Sequence, residues 1–140
     1  MLYTHGKVTF ELEDEDEFLM GRIYEALQDD YEGEDVIVAD DDNADRLTRE
    51  RIEESLWAFN PEFLASETGL PEEVFQALAD SGRCESNNEA IKALVEQTCG
   101  MDAFVSSAID ADCRGHFLSD YDGEEGEIEI DGETYYVYRQ

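Results

Sequence analysis

Residues that could bind a metal lie mainly near the C-terminus. Cys113 and His116 are three positions apart, and with Cys84 and Cys99 they would supply four zinc ligands. Their spacings match none of the paired arrangements that zinc sites use. Three cysteines without paired spacing also predict no disulfide pattern, and we expect free thiols in a reducing cytoplasm. We therefore predict no structural metal.

The same stretch begins like a calcium-binding loop. Asp110, Asp112 and Gly115 take the first, third and sixth positions of an EF-hand loop. Arg114 places a cation where an oxygen ligand belongs, and Tyr121 replaces the glutamate that closes such loops. Specific calcium binding is not expected.

No arrangement of residues predicts catalysis. The sequence has no nucleophile elbow, no phosphate-binding loop and no Cys–His–acid set beyond Cys113 and His116. Carboxylate pairs are so frequent that none of them identifies a general acid and base. We predict that the protein is not an enzyme, with no catalytic residues and no cofactor.

The segment 63–78 resembles a helix-turn-helix, with Ala65, Gly69 and Phe75 at the positions of its turn and packing residues. A helix that reads DNA must approach phosphates. The second helix here begins with Glu72 and Glu73. We expect a helical corner and no direct binding of nucleic acid.

Acidity is the dominant chemical feature of the chain. The net charge is −29, from 38 acidic and 9 basic residues in 140, and only Lys7 and Lys92 are lysines. The acids come in runs at 11–17, 29–45 and 120–133. Nucleic acids and anionic membranes would repel such a chain, whereas basic protein surfaces would attract it.

The hydrophobic pattern predicts that the chain folds despite this charge. Hydrophobic residues make up 41% of the chain, including seven Phe and seven Tyr, which is not typical of a disordered protein. No stretch is long and apolar enough to span a membrane, and no signal-peptide run is present. A cytoplasmic location in a bacterial or archaeal host is expected.

Period-2 alternation predicts a strand over 7–12, and helical spacing predicts a helix from about residue 14, with Phe18 on its apolar face. The acidic segment 29–47 is predicted to be an irregular loop, because ten acids and no base lie between Arg22 and Arg46. Its short apolar run, Val36–Val38, could be a strand or the middle of this loop.

Helical patterns fill the middle of the chain. One helix is expected to begin at Thr48, and others at 61–67 and 71–80, where Asn60-Pro61 and Leu70-Pro71 place proline at the first helical position. Two more follow before about residue 110. Residues 126–139 alternate around Asp131-Gly132, which is a strong hairpin signal.

Together these elements predict a single acidic domain, residues 1–140, with an α+β fold. Its helical middle would be joined to a small antiparallel sheet made of the N-terminal strand and the C-terminal hairpin.

The acidic runs would place carboxylates at regular spacing on these elements. In a strand, acids at i and i+2 stand about 6.6 Å apart on one face, as Glu127 and Glu129 would. Glu50, Glu53 and Glu54 would provide a helical set, with neighbours about 5–6 Å apart. Each strand of duplex DNA carries one phosphate per about 3.4 Å of helix axis. Rows of carboxylates on rigid elements can therefore approximate a row of phosphates. The candidate partner-binding residues are Glu11, Glu13, Asp14, Glu15, Asp16, Glu17, Asp29, Asp30, Glu32, Asp40, Asp41, Asp42, Glu124, Glu125, Glu127 and Glu129.

The C-terminal third resembles the ArdA-type antirestriction proteins. The similar stretch runs from "EAIKALVEQT" (89–98) through "VSSAIDADCRGHFLSD" (105–120) to "EIEIDGETYYVYR" (127–139). It covers about 50 residues, and Arg114-Gly115-His116 differs from the Gly-Arg order of the family. The resemblance implies a DNA mimic that inhibits type I restriction enzymes and is often dimeric. An inhibitor of a CRISPR effector fits the same residues equally well.

The sequence therefore predicts an inhibitor that occupies the basic DNA-binding groove of a host defence complex. Halophilic adaptation is the alternative, because proteins of salt-loving cells are also acidic and poor in lysine. In that case the charge would serve solvation and the function would be unrelated. The grouping of the acids in runs favours the mimic.

Overall fold

The computed structural model describes residues 2–5, 7–13, 16–80 and 87–140. Within them, five strands and six α-helices form. The strands are β1 (Leu2–His5), β2 (Val8–Glu11), β3 (Val36–Ala39), β4 (Gly126–Ile130) and β5 (Glu133–Arg139). The helices are α1 (Glu17–Asp30), α2 (Asp41–Glu54), α3 (Pro61–Thr68), α4 (Glu72–Asp80), α5 (Asn88–Gln97) and α6 (Met101–Leu118), with a 3-10 turn at Leu56–Ala58. The predicted α+β class and helical middle are confirmed.

The sheet has the strand order β1-β2-β3-β5-β4 and is mixed. The strands β2 and β3 are parallel, because the chain between them crosses over through α1, and the other neighbours are antiparallel. The prediction of a wholly antiparallel sheet was wrong in this detail. The C-terminal hairpin pairs with β3 and not with the N-terminal strand.

The segment 29–47 is not an irregular loop as predicted. Residues 29–30 end α1, Val36–Ala39 form a central strand, and α2 begins at Asp41 rather than at Thr48. The strand forms because Val36 and Val38 are buried in the core on one face of the sheet. The helix begins early because Asp40 accepts a hydrogen bond from the backbone N–H of Asn43 (2.9 Å), which caps its first turn.

The chain divides into two compact units, Met1–Thr48 with Asp112–Gln140, and Arg49–Ala111. The first unit holds the sheet and buries side chains on both of its faces. Met20, Ile23 and Leu27 of α1 cover one face. Ala44 and Leu118 pack with Tyr138 on the other. Phe18, predicted to lie on the apolar face of α1, is instead 73% exposed. The single-domain interpretation stays a prediction.

The second unit is helical. Phe59, Phe63 and Phe104 pack ring against ring, with centroids 5.3 to 5.6 Å apart. The corner between α3 and α4 forms as predicted: Asn60 caps α3 through the N–H of Glu62 (2.9 Å), Pro61 opens it, and Gly69 ends it in the left-handed region.

The hairpin between β4 and β5 is also confirmed. Asp131 and Gly132 have φ values of 53° and 84°, which is the left-handed pair that a type I′ turn requires. Among the described residues, no helix is long and apolar enough to cross a membrane.

Candidate functional site

The edge strand β4 presents two acids on one face. Glu127 lies opposite Tyr136 and Glu129 opposite Thr134, while Ile128 between them packs toward the core on the other face. Both glutamates are exposed, and successive positions on one face are about 6.6 Å apart. The predicted alternation is therefore confirmed. Charge on an edge strand also discourages pairing with other strands.

A half-buried arginine fixes the segment that leads into β4. The Arg114 guanidinium lies 2.8 Å from Glu125 Oε1 and 2.9 Å from the Oδ1 atoms of both Asp41 and Asp45. It also stacks over the Tyr136 ring, 4.5 Å from its centroid. Two predicted partner-binding residues, Asp41 and Glu125, thus have a structural role, because they join the start of α2 and the start of β4 to the end of α6.

The charges of this cluster shift the pKa values of its members. Burial by itself would lower the pKa of Arg114, but the hydrogen bonds to Glu125 and Asp41 outweigh it and raise that pKa above its ordinary value. Burial, together with a hydrogen bond to Glu125, raises the pKa of the Tyr138 hydroxyl well above its ordinary range. Arg114 stays charged and Tyr138 stays neutral at any physiological pH.

A second arginine holds the end of β5. Arg139 forms ion pairs with Glu34 (2.8 Å) and Asp122 (3.1 Å) and lies over the Tyr31 ring. Hydrogen bonds from the Ser119 hydroxyl and from the Glu124 backbone N–H lower the pKa of Asp122. The loop before β4 is thereby attached to the last strand.

Glu11 is not part of an exposed surface. It is only 8% exposed, and its carboxylate accepts a 2.8 Å hydrogen bond from Arg46. Its side chain is inside because β2 alternates: Val8 and Phe10 enter the core beside α1, and Glu11 lies on the opposite face, next to α2. The structure thus gives Glu11 an internal partner, and its contact with an external partner stays a prediction.

The rest of the first acidic run divides between helix capping and solvent. Asp16 caps α1 by accepting from the N–H of Phe18 (3.0 Å), and Glu17 stands in the first turn, where the helix dipole favours it. Asp40, half-buried, accepts from the N–H of Glu13 (2.8 Å). The predicted site residues Asp14 and Glu15 lie outside the described residues.

Acids at the other end of α1 have no such structural reason. Asp29 and Asp30 occupy its last turn, which contains no base, and the negative end of the helix dipole disfavours carboxylates there by about 0.3–1 kcal/mol each. Both are exposed, as is the nearby Glu32. Glu124 is exposed as well, and Asp42 is exposed in the first turn of α2, where the helix dipole favours it. Asp29, Asp30, Glu32 and Glu124 are candidate contacts that the fold itself does not explain.

The bases of the chain are mostly bound internally. Five arginines form ion pairs with carboxylates of the same chain, and Lys7 donates to the Gly33 carbonyl (3.1 Å). The arginines are Arg22, Arg46, Arg49, Arg114 and Arg139. Because those cations are already neutralised, the charge that reaches solvent is predominantly negative.

The stretch considered for calcium does not form a loop. It is helical to Leu118, with a kink at Cys113, where φ is 69°. Among the described residues, no group of three or more His, Cys, Asp and Glu side chains is placed to hold a metal ion. Cys99 is half-buried and Cys113 exposed, both as free thiols, and Cys84 lies outside the described residues.

The sequence reasoning missed the structural importance of Arg114. In the sequence, Arg114 stands out only as a cation at the position of a calcium ligand and as a departure from the residue order of the ArdA-type family. Tyr136 and Tyr138, two positions apart on β5, were the available signal, because alternate tyrosines on a central strand need polar partners for their hydroxyls.

Comparison of the chain with protein-family models, with curated proteins and with solved structures finds no match. The resemblance of the C-terminal third to ArdA-type proteins stays a hypothesis.

Proposed function

We propose that the protein is an acidic DNA mimic that inhibits a nucleic-acid-binding defence complex of the host, a restriction enzyme or a CRISPR effector, by occupying its basic DNA-binding groove. One observation carries this proposal: five of the seven arginines form ion pairs with carboxylates of the same chain, while exposed carboxylates stand on strands, helix ends and fixed loops. A phage or other mobile element that must evade host defence would use such a protein.

The support for mimicry is the fixed position of the carboxylates. Glu127 and Glu129 lie on a hydrogen-bonded strand. Glu124 directly precedes Glu125 and Asp42 directly follows Asp41, and both Glu125 and Asp41 pair with Arg114. Charges held on rigid elements reach a partner without the loss of backbone entropy that ordering a mobile segment would cost. Mobile acidic tails would lack this advantage.

The acids at the C-terminal end of α1 point to an external partner. Asp29 and Asp30 oppose the helix dipole, so their presence costs stability. A basic groove would offset that cost by supplying the counter-charges that the chain lacks there. The partner is accordingly a basic protein surface, not nucleic acid and not a membrane. If the ArdA resemblance holds, the protein acts as a homodimer.

A competition assay tests the proposal. Binding of a labelled DNA duplex by a purified type I restriction complex, or by a CRISPR effector, is measured with and without the protein. We expect mutual exclusion that weakens as salt rises, because the contact is electrostatic. A complex that holds duplex DNA and the protein together, without exclusion, would contradict mimicry for that target.

Matched triple variants sharpen the assay. The test variant, Glu124→Gln/Glu127→Gln/Glu129→Gln, removes three exposed charges beside β4. The control variant removes three exposed charges from the helices of the second unit: Glu62→Gln, Glu96→Gln and Asp110→Asn. At about 0.5–1 kcal/mol per rim charge, the test variant should lose roughly tenfold or more in inhibition and the control much less. Equal losses would show that net charge alone acts.

Halophilic adaptation is the second candidate, and one observation favours it. Exposed acids also cover every helix of the second unit: Glu50, Glu54, Glu62, Glu72, Glu73, Asp80, Glu89, Glu96, Asp102 and Asp110. Acidic residues spread over the whole surface are what a halophilic protein needs in order to stay solvated at high salt. Circular dichroism in low-salt buffer separates the candidates, since a mimic keeps its helical signal there and a halophilic protein loses it until molar salt is added.

A further inference from the structure

An open cavity of about 400 Å³ lies between the start of α1, the end of β2 and the β4–β5 hairpin. Leu12, Leu19, Ile130 and Tyr135 give it an apolar lining. Phe18, also a lining residue, leaves 73% of its surface exposed. A large exposed aromatic ring beside a concave surface that combines apolar and charged side chains is typical of a binding site.

The remaining lining of the cavity is charged: five carboxylates and the arginine Arg22. Asp16 and Asp40 are engaged by backbone N–H groups, and Asp131 pairs with Arg22. Glu13 and Glu133 are exposed, and neither carboxylate forms an ion pair or a hydrogen bond with another described residue. The cavity thus combines two carboxylates that have no cationic partner among the described residues, Glu13 and Glu133, with an apolar part of its lining.

We propose that this cavity binds an arginine side chain from a basic partner protein. The apolar stem of the incoming arginine would lie on Leu19, its planar guanidinium would stack on Phe18, and its N–H groups would donate to Glu13 and Glu133. Arginine fits better than lysine, because a compact ammonium ion neither stacks in this way nor donates in a fork.

The cavity already accommodates one guanidinium at its wall. Arg22 bonds Asp131 there, with the arginine side chain 40% exposed. Because Arg22 already pairs with Asp131, an incoming arginine would pair with Glu13 and Glu133 instead. The binding of an arginine side chain by the cavity is independent of the proposed function. Only the source of that arginine, a DNA-binding groove, rests on the proposed function.

Nuclear magnetic resonance titration with short peptides tests the inference. The probe is acetyl-Gly-Arg-Gly-amide, and the controls replace arginine by citrulline, which has the same shape without charge, or by lysine. We expect the arginine peptide to shift the amide signals of Phe18, Leu19, Ile130 and Glu133, with at least fivefold weaker binding of the lysine peptide and no saturable binding of citrulline. Equal shifts from all three peptides, or shifts spread evenly over the acidic surface, would overturn the proposal.

Two matched variants complete the test. Glu13→Gln/Glu133→Gln should weaken binding of the arginine peptide at least fivefold, and Glu127→Gln/Glu129→Gln, with the same loss of charge on β4, less than twofold. Phe18→Ala should weaken it about threefold, and its amide spectrum will report whether the fold persists. Equal effects of the two double variants would reduce the site to non-specific attraction and refute it.

The outcome is independent of the competition assay, because no nucleic-acid enzyme is present. A cavity that binds arginine in a protein that fails to displace DNA would leave this inference standing and contradict mimicry for the complex tested. If the protein displaces DNA but its cavity does not bind the arginine peptide, the proposed function stands and this inference is refuted.

Discussion

Arg114 Nε lies 2.8 Å from Glu125 Oε1, and this contact joins the end of α6 to the segment that enters the acidic edge strand β4. The arginine side chain is only 12% exposed, whereas its partners Asp41 and Asp45 are 65% and 60% exposed. Arg114 is therefore the half-buried cation around which three carboxylates are arranged. The same residue that holds the fold together also sets the position of the outward charges.

Replacing Arg114 should destabilise the fold. Arg114→Met keeps much of the apolar stem but leaves Glu125, Asp41 and Asp45 without a cation, and we expect a loss of about 2 kcal/mol in the free energy of unfolding. Urea denaturation measures it. Arg22→Met is the control, because its pair with Asp131 is exposed and should cost less than about 1 kcal/mol. Equal losses would contradict the assigned role of Arg114.

Stability should fall in alkaline solution because of Tyr138. Its folded pKa is raised, so the folded chain keeps this proton at a pH where the unfolded chain, with a tyrosine pKa of about 10, releases it. The stabilisation is present below pH about 10 and decreases above it, by up to about 1.4 kcal/mol per pH unit. The raised pKa of Tyr31 acts in the same direction.

Urea denaturation from pH 8 to 11 measures this slope. Tyr138→Phe should cost about 1 kcal/mol at pH 8, because it removes the hydrogen bond to Glu125, and should make the alkaline decline shallower. Tyr121→Phe, at a side chain 73% exposed, serves as the control. An unchanged slope in Tyr138→Phe would show that other groups govern alkaline unfolding.

Two glycine substitutions should change stability in opposite directions. A Cβ on Gly115 would meet the backbone of Glu124 at 2.6 Å and of Glu125 at 2.7 Å, so Gly115→Ala should cost about 1–3 kcal/mol through overpacking. Gly21 lies inside α1 with nothing within 4 Å of such a Cβ, so Gly21→Ala should add about 0.5–1 kcal/mol. Thermal unfolding of both variants checks the signs, and a stabilised Gly115→Ala would contradict the close approach.

The elements that could be predicted from the sequence are those with local causes. Asp131-Gly132 fixes its turn through the φ values that these two residues tolerate. Asn60-Pro61 and Gly69 bound α3 through capping and a left-handed residue. Such signals need no knowledge of distant parts of the chain.

The elements that were missed depend on distant partners. The run Val36–Val38 is too short to identify as a strand, and it becomes one by pairing with β2 and with β5, about a hundred residues later. Glu11 looks like any other residue of an acidic run, yet Arg46, 35 positions away, makes it part of the interior. For the same reason a list of acids could not distinguish structural carboxylates such as Glu125 from free ones such as Glu129.

Neutralising Asp29 and Asp30 should separate stability from inhibition. Because both acids oppose the dipole of α1, Asp29→Asn/Asp30→Asn should raise the free energy of unfolding by about 0.6–2 kcal/mol while it weakens the exclusion of DNA from the target complex. Glu17→Gln is the control: Glu17 lies in the first turn of the same helix, so its loss should lower stability by about 0.3–1 kcal/mol. Urea denaturation and the DNA competition assay, run on the same preparations, measure the two quantities. A double variant that is stabilised but inhibits as well as the original chain would exclude this end of α1 from the contact, and a destabilised one would show that Asp29 and Asp30 serve the fold.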